Sequence, residues 1–280
     1  MDIRLIAIDL DGTLLNSELQ ITHHTIDVLN RVPSNVEMVI CTGRTIVELP
    51  EELQYIPNIR YIITSNGAAV WNRQTKEKLS ECALTSTEAI TLMKGFQQFD
   101  VRMEVFMLGR ILVEPYYYEH FEAYGGSQHT DFLKKTRTPK ENVLQYVEEL
   151  CEPVEKFNLF FKHEHERYTA IQQCIEAGYQ VTTSFAHNVE VNAMCASKGR
   201  ALQTLAEILG IHQQYVAAIG DQINDLSMLD YANYPIAMGN AVDEVKRVAV
   251  VETLTNREDG VAAAIEQYII KGGKNEHLFF

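Results

Sequence analysis

Two aspartates one residue apart, Asp9 and Asp11, close the apolar stretch Ile6-Ala7-Ile8-Asp9-Leu10-Asp11-Gly12-Thr13-Leu14-Leu15. A continuous apolar run of strand length reads as a strand buried on both faces. Carboxylates do not fit inside such a strand. They do fit just past its carboxyl end, the edge at which open α/β sheets bind ligands. Similar punctuation recurs along the chain. The expected strand at 36–41 ends in Thr42-Gly43-Arg44, and the one at 61–64 ends in Ser65-Asn66-Gly67. The strand at 215–219 ends in Gly220-Asp221, and the one at 234–237 in Met238-Gly239-Asn240.

Asp9 and Asp221, from two strand ends, can share one hard cation. Carboxylate and carbonyl oxygens suit Mg²⁺, which keeps several waters and takes few protein ligands. Without a cation such carboxylates repel and one protonates. A carboxylate held ionised beside Mg²⁺ and an in-line phosphoryl group is a nucleophile that forms an aspartyl-phosphate. Asp11, two residues on, is placed to give a proton to the leaving-group oxygen and then take one from the attacking water.

The elements that must carry these groups fall into three blocks. Strand, helix, strand, strand texture runs to about residue 67. Thr22 is positioned to cap a helix carrying Ile26, Leu29 and Val32. From about 68 to 191 the pattern alternates, with expected hairpins at 70–74 and 101–113, helices at 87–99 and 166–177, and strands at 157–161, 181–184 and 188–191. After Lys198 the buried α/β texture returns. The expected fold is α/β: a Rossmann-like, doubly wound, mostly parallel sheet core at 1–82 and 192–280, split by an inserted α+β cap at 83–191. The tail after 270 is expected to fray, with Leu278-Phe279-Phe280 as a docking element.

Composition narrows the function classes. The chain has 280 residues, 46% hydrophobic and 22% charged, an ordinary globular balance. A net charge of -14 argues against a nucleic-acid partner, which needs a basic face. No apolar run reaches the roughly 20 residues of a membrane helix, and no signal peptide is evident, so a cytoplasmic protein with no membrane partner is expected. The five cysteines are scattered with no C-x-x-C pair, and reduced thiols are expected. Neither a G-x-x-x-x-G-K-[ST] loop nor a G-x-G-x-x-G fingerprint is present.

Four motifs in order resemble those of the haloacid dehalogenase superfamily: DLDGTLL at 9–15, Thr42 in TGR, Lys198 in SKG, and GDQIND at 220–225. The position of the insert is similar to that of the Cof-type hydrolases of subfamily IIB, and SNGA at 65–68, AMGNA at 237–241 and TNREDGVA at 255–262 fit them too. The resemblance implies that Asp9 is the nucleophile and a Mg²⁺ ligand. It makes Asp11 the general acid/base, with its carbonyl on the metal, and Asp221 the third protein ligand. It implies that Thr42 and the Gly43 amide hydrogen-bond the phosphoryl group, that Lys198 neutralises its charge, that Asn224 contacts phosphate, and that Asp225 orients Lys198 or the metal waters. Arg44 is a candidate substrate contact, weighed against a surface pairing.

Plainer readings compete for other residues. His163 and His165 lack further metal ligands at useful spacing and read as solvated. Tyr116, Tyr117 and Tyr118 read as packing. The resulting expectation is a Mg²⁺-dependent phosphatase of a small, sugar phosphate-like metabolite, working as monomer or homodimer. A phosphomutase on the same scaffold, or a non-catalytic phosphometabolite-binding protein, is the alternative. Specificity residues are expected on the cap sheet within 104–110 and 185–190.

Overall fold

The computed structural model describes residues 2–124, 130–183 and 188–271. The expected docking tail, and 185–187 of the specificity candidates, lie outside the described residues. The strands in chain order are β1 (Leu5–Ile8), β2 (Glu37–Cys41), β3 (Ile59–Thr64), β4 (Ala69–Asn72), β5 (Glu77–Glu81), β6 (Val101–Met107), β7 (Arg110–Val113), β8 (Arg137–Pro139), β9 (Lys156–Phe161), β10 (Gln180–Thr182), β11 (Asn188–Asn192), β12 (Val216–Gly220), β13 (Tyr234–Ala237) and β14 (Val251–Glu252).

The chain divides into two compact units. The first takes the described residues of Met1–Gly43, Leu49–Ser80 and Ser197–Phe280, and the second those of Arg44–Glu48 and Glu81–Ala196. The sheet of the first unit has the order β14-β13-β12-β1-β2-β3-β4-β5. Neighbours from β14 to β3 run parallel, while β4 returns antiparallel to β3. β1 thus sits at the switch point, with β2 on one side and β12 on the other, which is where this class of sheet opens a ligand crevice. Register sets the site: Ile8 lies opposite both Ile219 and Ile40. The residues that follow, Asp9, Gly220-Asp221 and Cys41-Thr42, therefore emerge at one edge. The β1 residues Leu5 to Ile8 are wholly buried, as a strand covered on both faces must be.

The sheet of the second unit runs β10-β11-β9-β6-β7-β8. Its pairings are antiparallel except for β7 with β8. One face carries Val101, Val105, Met107, Phe157, Leu159, Phe161, Val189 and Val191 into a core with the helices Ser86–Phe96, Val143–Leu150 and Glu164–Glu176. Helix Ser86–Phe96 begins at a capping box in which Thr85 and Glu88 satisfy each other's backbone amides. Tyr116, Tyr117 and Tyr118 lie on a short helix, Pro115–Glu119, where Tyr116 stacks on His120 and Tyr117 meets Tyr124 edge-on. His163 and His165 are exposed at the start of helix Glu164–Glu176.

The expectation of five reduced thiols is corrected by the structure. Cys82 and Cys195 are joined by a disulfide, with Cα atoms 6.0 Å apart across a separation of 113 residues. They stand beside Glu81 and Ala196, the two ends of the inserted segment. Folding of the insert brings these ends together, which residue spacing along the chain does not reveal. Cys41, Cys151 and Cys174 are free thiols.

Candidate active site

Asp9 follows β1 directly and stays in the ladder, its amide donating to the Ile219 carbonyl at 3.0 Å. The chain then makes a tight turn through Leu10–Leu14, in which Gly12 takes φ 80°. A side chain at Gly12 would collide with the Asp221 carboxylate as well as straining the backbone. Thr13 Oγ1 donates to Asp221 Oδ1 at 2.8 Å, and Asn240 Nδ2 donates to the Gly12 carbonyl at 2.9 Å. This turn leaves Asp9 and Asp221 buried and Asp11 exposed.

Lys198 opens the helix Lys198–Ile208, capped by the Ser197 hydroxyl. A helix N-terminus disfavours a cation, and this one is only 1% exposed. The side chain is held by two carboxylates: Nζ donates to Asp9 Oδ1 and to Asp225 Oδ1, both at 2.6 Å. Asp225 is fully committed. Its Oδ2 accepts the amides of Asp221 and Gln222 at 2.9 and 3.0 Å. The turn that positions Lys198 comes from β3: Ser65, Asn66 and Gly67 take φ 51°, 58° and 98° in succession. A Cβ at Gly67 would overlap the Ser197 carbonyl, so only glycine lets this turn lie against the start of the lysine helix. Gly199 is equally constrained, against the Ser227 carbonyl.

Oxygen atoms of Asp9, Asp221 and Asp225 lie within 4.8 Å of one another. Burial, then the Asp225 charge, pushes the Asp9 carboxyl well above the usual carboxylate range, with Lys198 opposing. Burial raises the Asp221 carboxyl to about 6, against the Thr13 hydrogen bond. Burial works against the Lys198 ammonium, but Asp225 and Asp9 overcome it and hold its pKa above the ordinary lysine value. Three carboxylates and one ammonium leave an excess of negative charge, which a divalent cation would offset.

Thr42 is buried at the end of β2, its amide donating to the Ile63 carbonyl at 2.9 Å and its carbonyl accepting the Asn66 amide at 3.1 Å. Gly43 ends this stretch of the first unit. Asn224 is half-buried in the single turn Ile223–Asp225. Arg44 belongs to the second unit, where Nη1 donates to the Glu48 carbonyl at 2.9 Å and the guanidinium faces the Phe132 ring at 5.4 Å. Asp9, Lys198, Asp221 and Asp225 are therefore brought into direct contact or near it. Sequence reasoning missed the supporting roles of Thr13, Asn240 and Gly67. Each lay inside a motif already quoted, and Gly67, in an amide-glycine turn, carried the clearest signal.

A family model, haloacid dehalogenase-like hydrolase, matches residues 6–265. The chain belongs to this family. Among the hydrolase's relatives, the 5-amino-6-(5-phospho-D-ribitylamino)uracil phosphatase YcsE of Bacillus subtilis is 31% identical, over 96% of this chain and 97% of the relative. Phosphatase YwpJ of the same organism is 29% identical, over 92% and 97%. The crystal structure of a haloacid dehalogenase-like hydrolase from Bacteroides thetaiotaomicron superposes with a TM-score of 0.81 at 28% identity, covering 94% of this hydrolase and 98% of that chain.

Proposed function

We propose that the protein is a Mg²⁺-dependent phosphatase that hydrolyses a small phosphorylated metabolite through an aspartyl-phosphate on Asp9. One observation carries the reading: Lys198, buried, is shared at 2.6 Å between Asp9 and the fully committed Asp225, with Asp221 alongside. A binding protein has no need of a buried carboxylate paired with a buried lysine at a strand end. The phosphatase relatives support the same reaction class.

The donor set fits a hard cation. Asp9 Oδ2 accepts no hydrogen bond among the described residues, and Asp221 Oδ2 has only long contacts from Gln222 and Asn240, at 3.3 and 3.5 Å. Both Asp225 oxygens already accept hydrogen bonds, from Lys198 at Oδ1 and from two amides at Oδ2. Asp9, Asp221 and the Asp11 carbonyl are thus the protein ligands in this reading. Bound there, Mg²⁺ would neutralise phosphoryl oxygens and draw the carboxylates toward their ionised forms.

Asp9 attacks phosphorus as the bond to the leaving oxygen breaks, and Asp11 gives that oxygen its proton. Asp11, now ionised, takes a proton from the water that attacks the aspartyl-phosphate. Inorganic phosphate leaves and the Asp9 carboxylate is restored. Lys198 opposes protonation of Asp9 and orients it, while Asp225 holds Lys198. Thr42, the Gly43 amide and Asn224 take phosphoryl oxygens, and positioning of this kind supplies most of the catalysis of phosphoryl transfer. A phosphate-release screen of phosphorylated metabolites, with Mg²⁺ and with EDTA, tests the proposal. Release that requires Mg²⁺ is expected. Release undiminished by EDTA contradicts the metal reading, and rearranged phosphoester in place of free phosphate marks a mutase.

A further inference from the structure

The second face of the β6-β9-β11 sheet carries Arg102, Glu104, Lys156, Asn158, Asn188 and Glu190, all of them buried. Buried charges need partners, and Lys156 on this face and Arg137 beside it have theirs. Arg137, from the neighbouring β8, forks onto Glu104 through Nε and Nη2 at 3.2 and 2.8 Å, and its Nη1 reaches Glu48 and Thr136 at 2.7 and 2.8 Å. Lys156 pairs with Glu190 at 3.1 Å.

Arg102 is different. It is 0% exposed, and Nη1 donates to the Phe121 carbonyl at 3.3 Å. Nε and Nη2 have no hydrogen-bond partner among the described residues. Nη2 stands 3.4 Å from Glu104 Oε1, an ion contact without hydrogen-bond geometry to a carboxylate already committed to Arg137. These two idle donors are not a random pair. Nε and the adjacent Nη2 form the side-on edge with which arginine grips both oxygens of a carboxylate or phosphate. The edge is also held still, because the guanidinium lies against the rings of Phe160 and Phe121, at 3.8 and 4.9 Å. Burial lowers its pKa only to about 10, so it is cationic at neutral pH.

We propose that the Nε/Nη2 edge of Arg102 is an oxyanion-binding site of the second unit, taking a carboxylate or phosphate group side-on. A rigid, buried, cationic fork with both donors idle is costly unless an acceptor completes it. The acceptor is a small free anion, either a carboxylate or a phosphate ester.

The test is calorimetric titration of the full chain, in EDTA, with malonate and separately with 3-phosphoglycerate. Wild type is compared with Arg102→Met and Arg102→Lys, and wild-type crystals are grown in malonate. The ligand that uses the site should lose about 10- to 100-fold in affinity in Arg102→Met, with Arg102→Lys in between, because it keeps the charge but not the fork. Loss for malonate identifies a carboxylate ligand, and loss for 3-phosphoglycerate alone identifies a phosphate ester. Should Arg102→Met fail to fold, Arg102→Lys and the malonate crystals decide. The proposal is overturned if neither ligand binds wild type, if affinities are equal in the proteins compared, or if only water occupies the edge in malonate crystals. Anion binding without any phosphate release counts against the phosphatase reading alone. Phosphate release without Arg102-dependent binding counts against this proposal alone.

Discussion

Lys198→Met removes the ammonium while keeping an unbranched side chain of similar reach. At 2.6 Å the attraction of Lys198 for each carboxylate is about 6 kcal/mol at an effective dielectric constant of about 20. Burial takes back most of that attraction, so the two contacts do not sum to a net stabilisation. Removing one partner from a buried pair typically costs about 3–5 kcal/mol, because the other charge is left behind unpaired. Here two carboxylates are left, Asp9 and Asp225, and the loss should lie in the upper half of that range at pH 8. The deficit should be smaller at pH 5 than at pH 8, because acid favours the protonated Asp9, the form that burial and Asp225 already favour and that sheds the unpaired charge. Urea unfolding followed at Trp71 is the assay. This is the one tryptophan of the chain, it lies on β4 of the first unit, and its Nε1 donates to Thr64. The midpoint at pH 8 should fall by about 1–2 M. An unchanged midpoint, or an equal deficit at both pH values, would refute the claim that the ammonium is the partner of two buried carboxylates.

Metal and proton should compete at the carboxylate cluster. The folded-state Asp221 carboxyl titrates at about 6, above its ordinary value of 3.8. Its contribution to metal-free stability is therefore complete below about pH 4 and is lost as pH rises through 6, an effect of about 3 kcal/mol. Mg²⁺ should accordingly raise the thermal midpoint more at pH 8 than at pH 5, and a larger rise at pH 5 would contradict this. Gly67→Ala should cost about 1–3 kcal/mol, since the new Cβ meets the Ser197 carbonyl at a positive φ. Its phosphate release should also fall, and a variant with full activity would show that the turn does not position Lys198. Cys195→Ser should lower the stability of the second unit by about 2–4 kcal/mol relative to the oxidised protein, measured by denaturant unfolding. Equal stability with and without reductant would contradict a bridged native state.

The residues at the strand ends were legible because three signals coincided there: buried apolar runs, a polar residue beside a glycine, and motifs in a recognisable order. Asp9, Thr42 and Asp221 needed only that pattern, while Lys198, at a helix start, was marked by its motif alone. The buried polar face of the second unit was hidden by the same logic. Arg102 and Glu104 alternate with Val101, Met103 and Val105, and such alternation reads as a half-solvated strand. Only the structure shows both charges wholly buried, with Glu104 tied to Arg137 across 33 residues. The strand Arg137–Pro139 is three residues long, too short to leave a period. Helix Val143–Leu150 begins from a left-handed Asn142 without a side-chain cap, so the usual start signal was missing. The Cys82–Cys195 bridge depends on the two ends of a long insertion meeting, which no local pattern encodes.

The central claim is that Asp9 carries the phosphoryl group between substrate and water. Quenching the enzyme during steady-state turnover, reducing with borohydride and mapping peptides by mass spectrometry tests it directly. An acyl phosphate on Asp9 would be reduced to homoserine at position 9, and the account predicts that product, dependent on substrate and Mg²⁺ and lost in Asp9→Asn. Modification at another residue, or phosphate release continuing in Asp9→Asn, would contradict it.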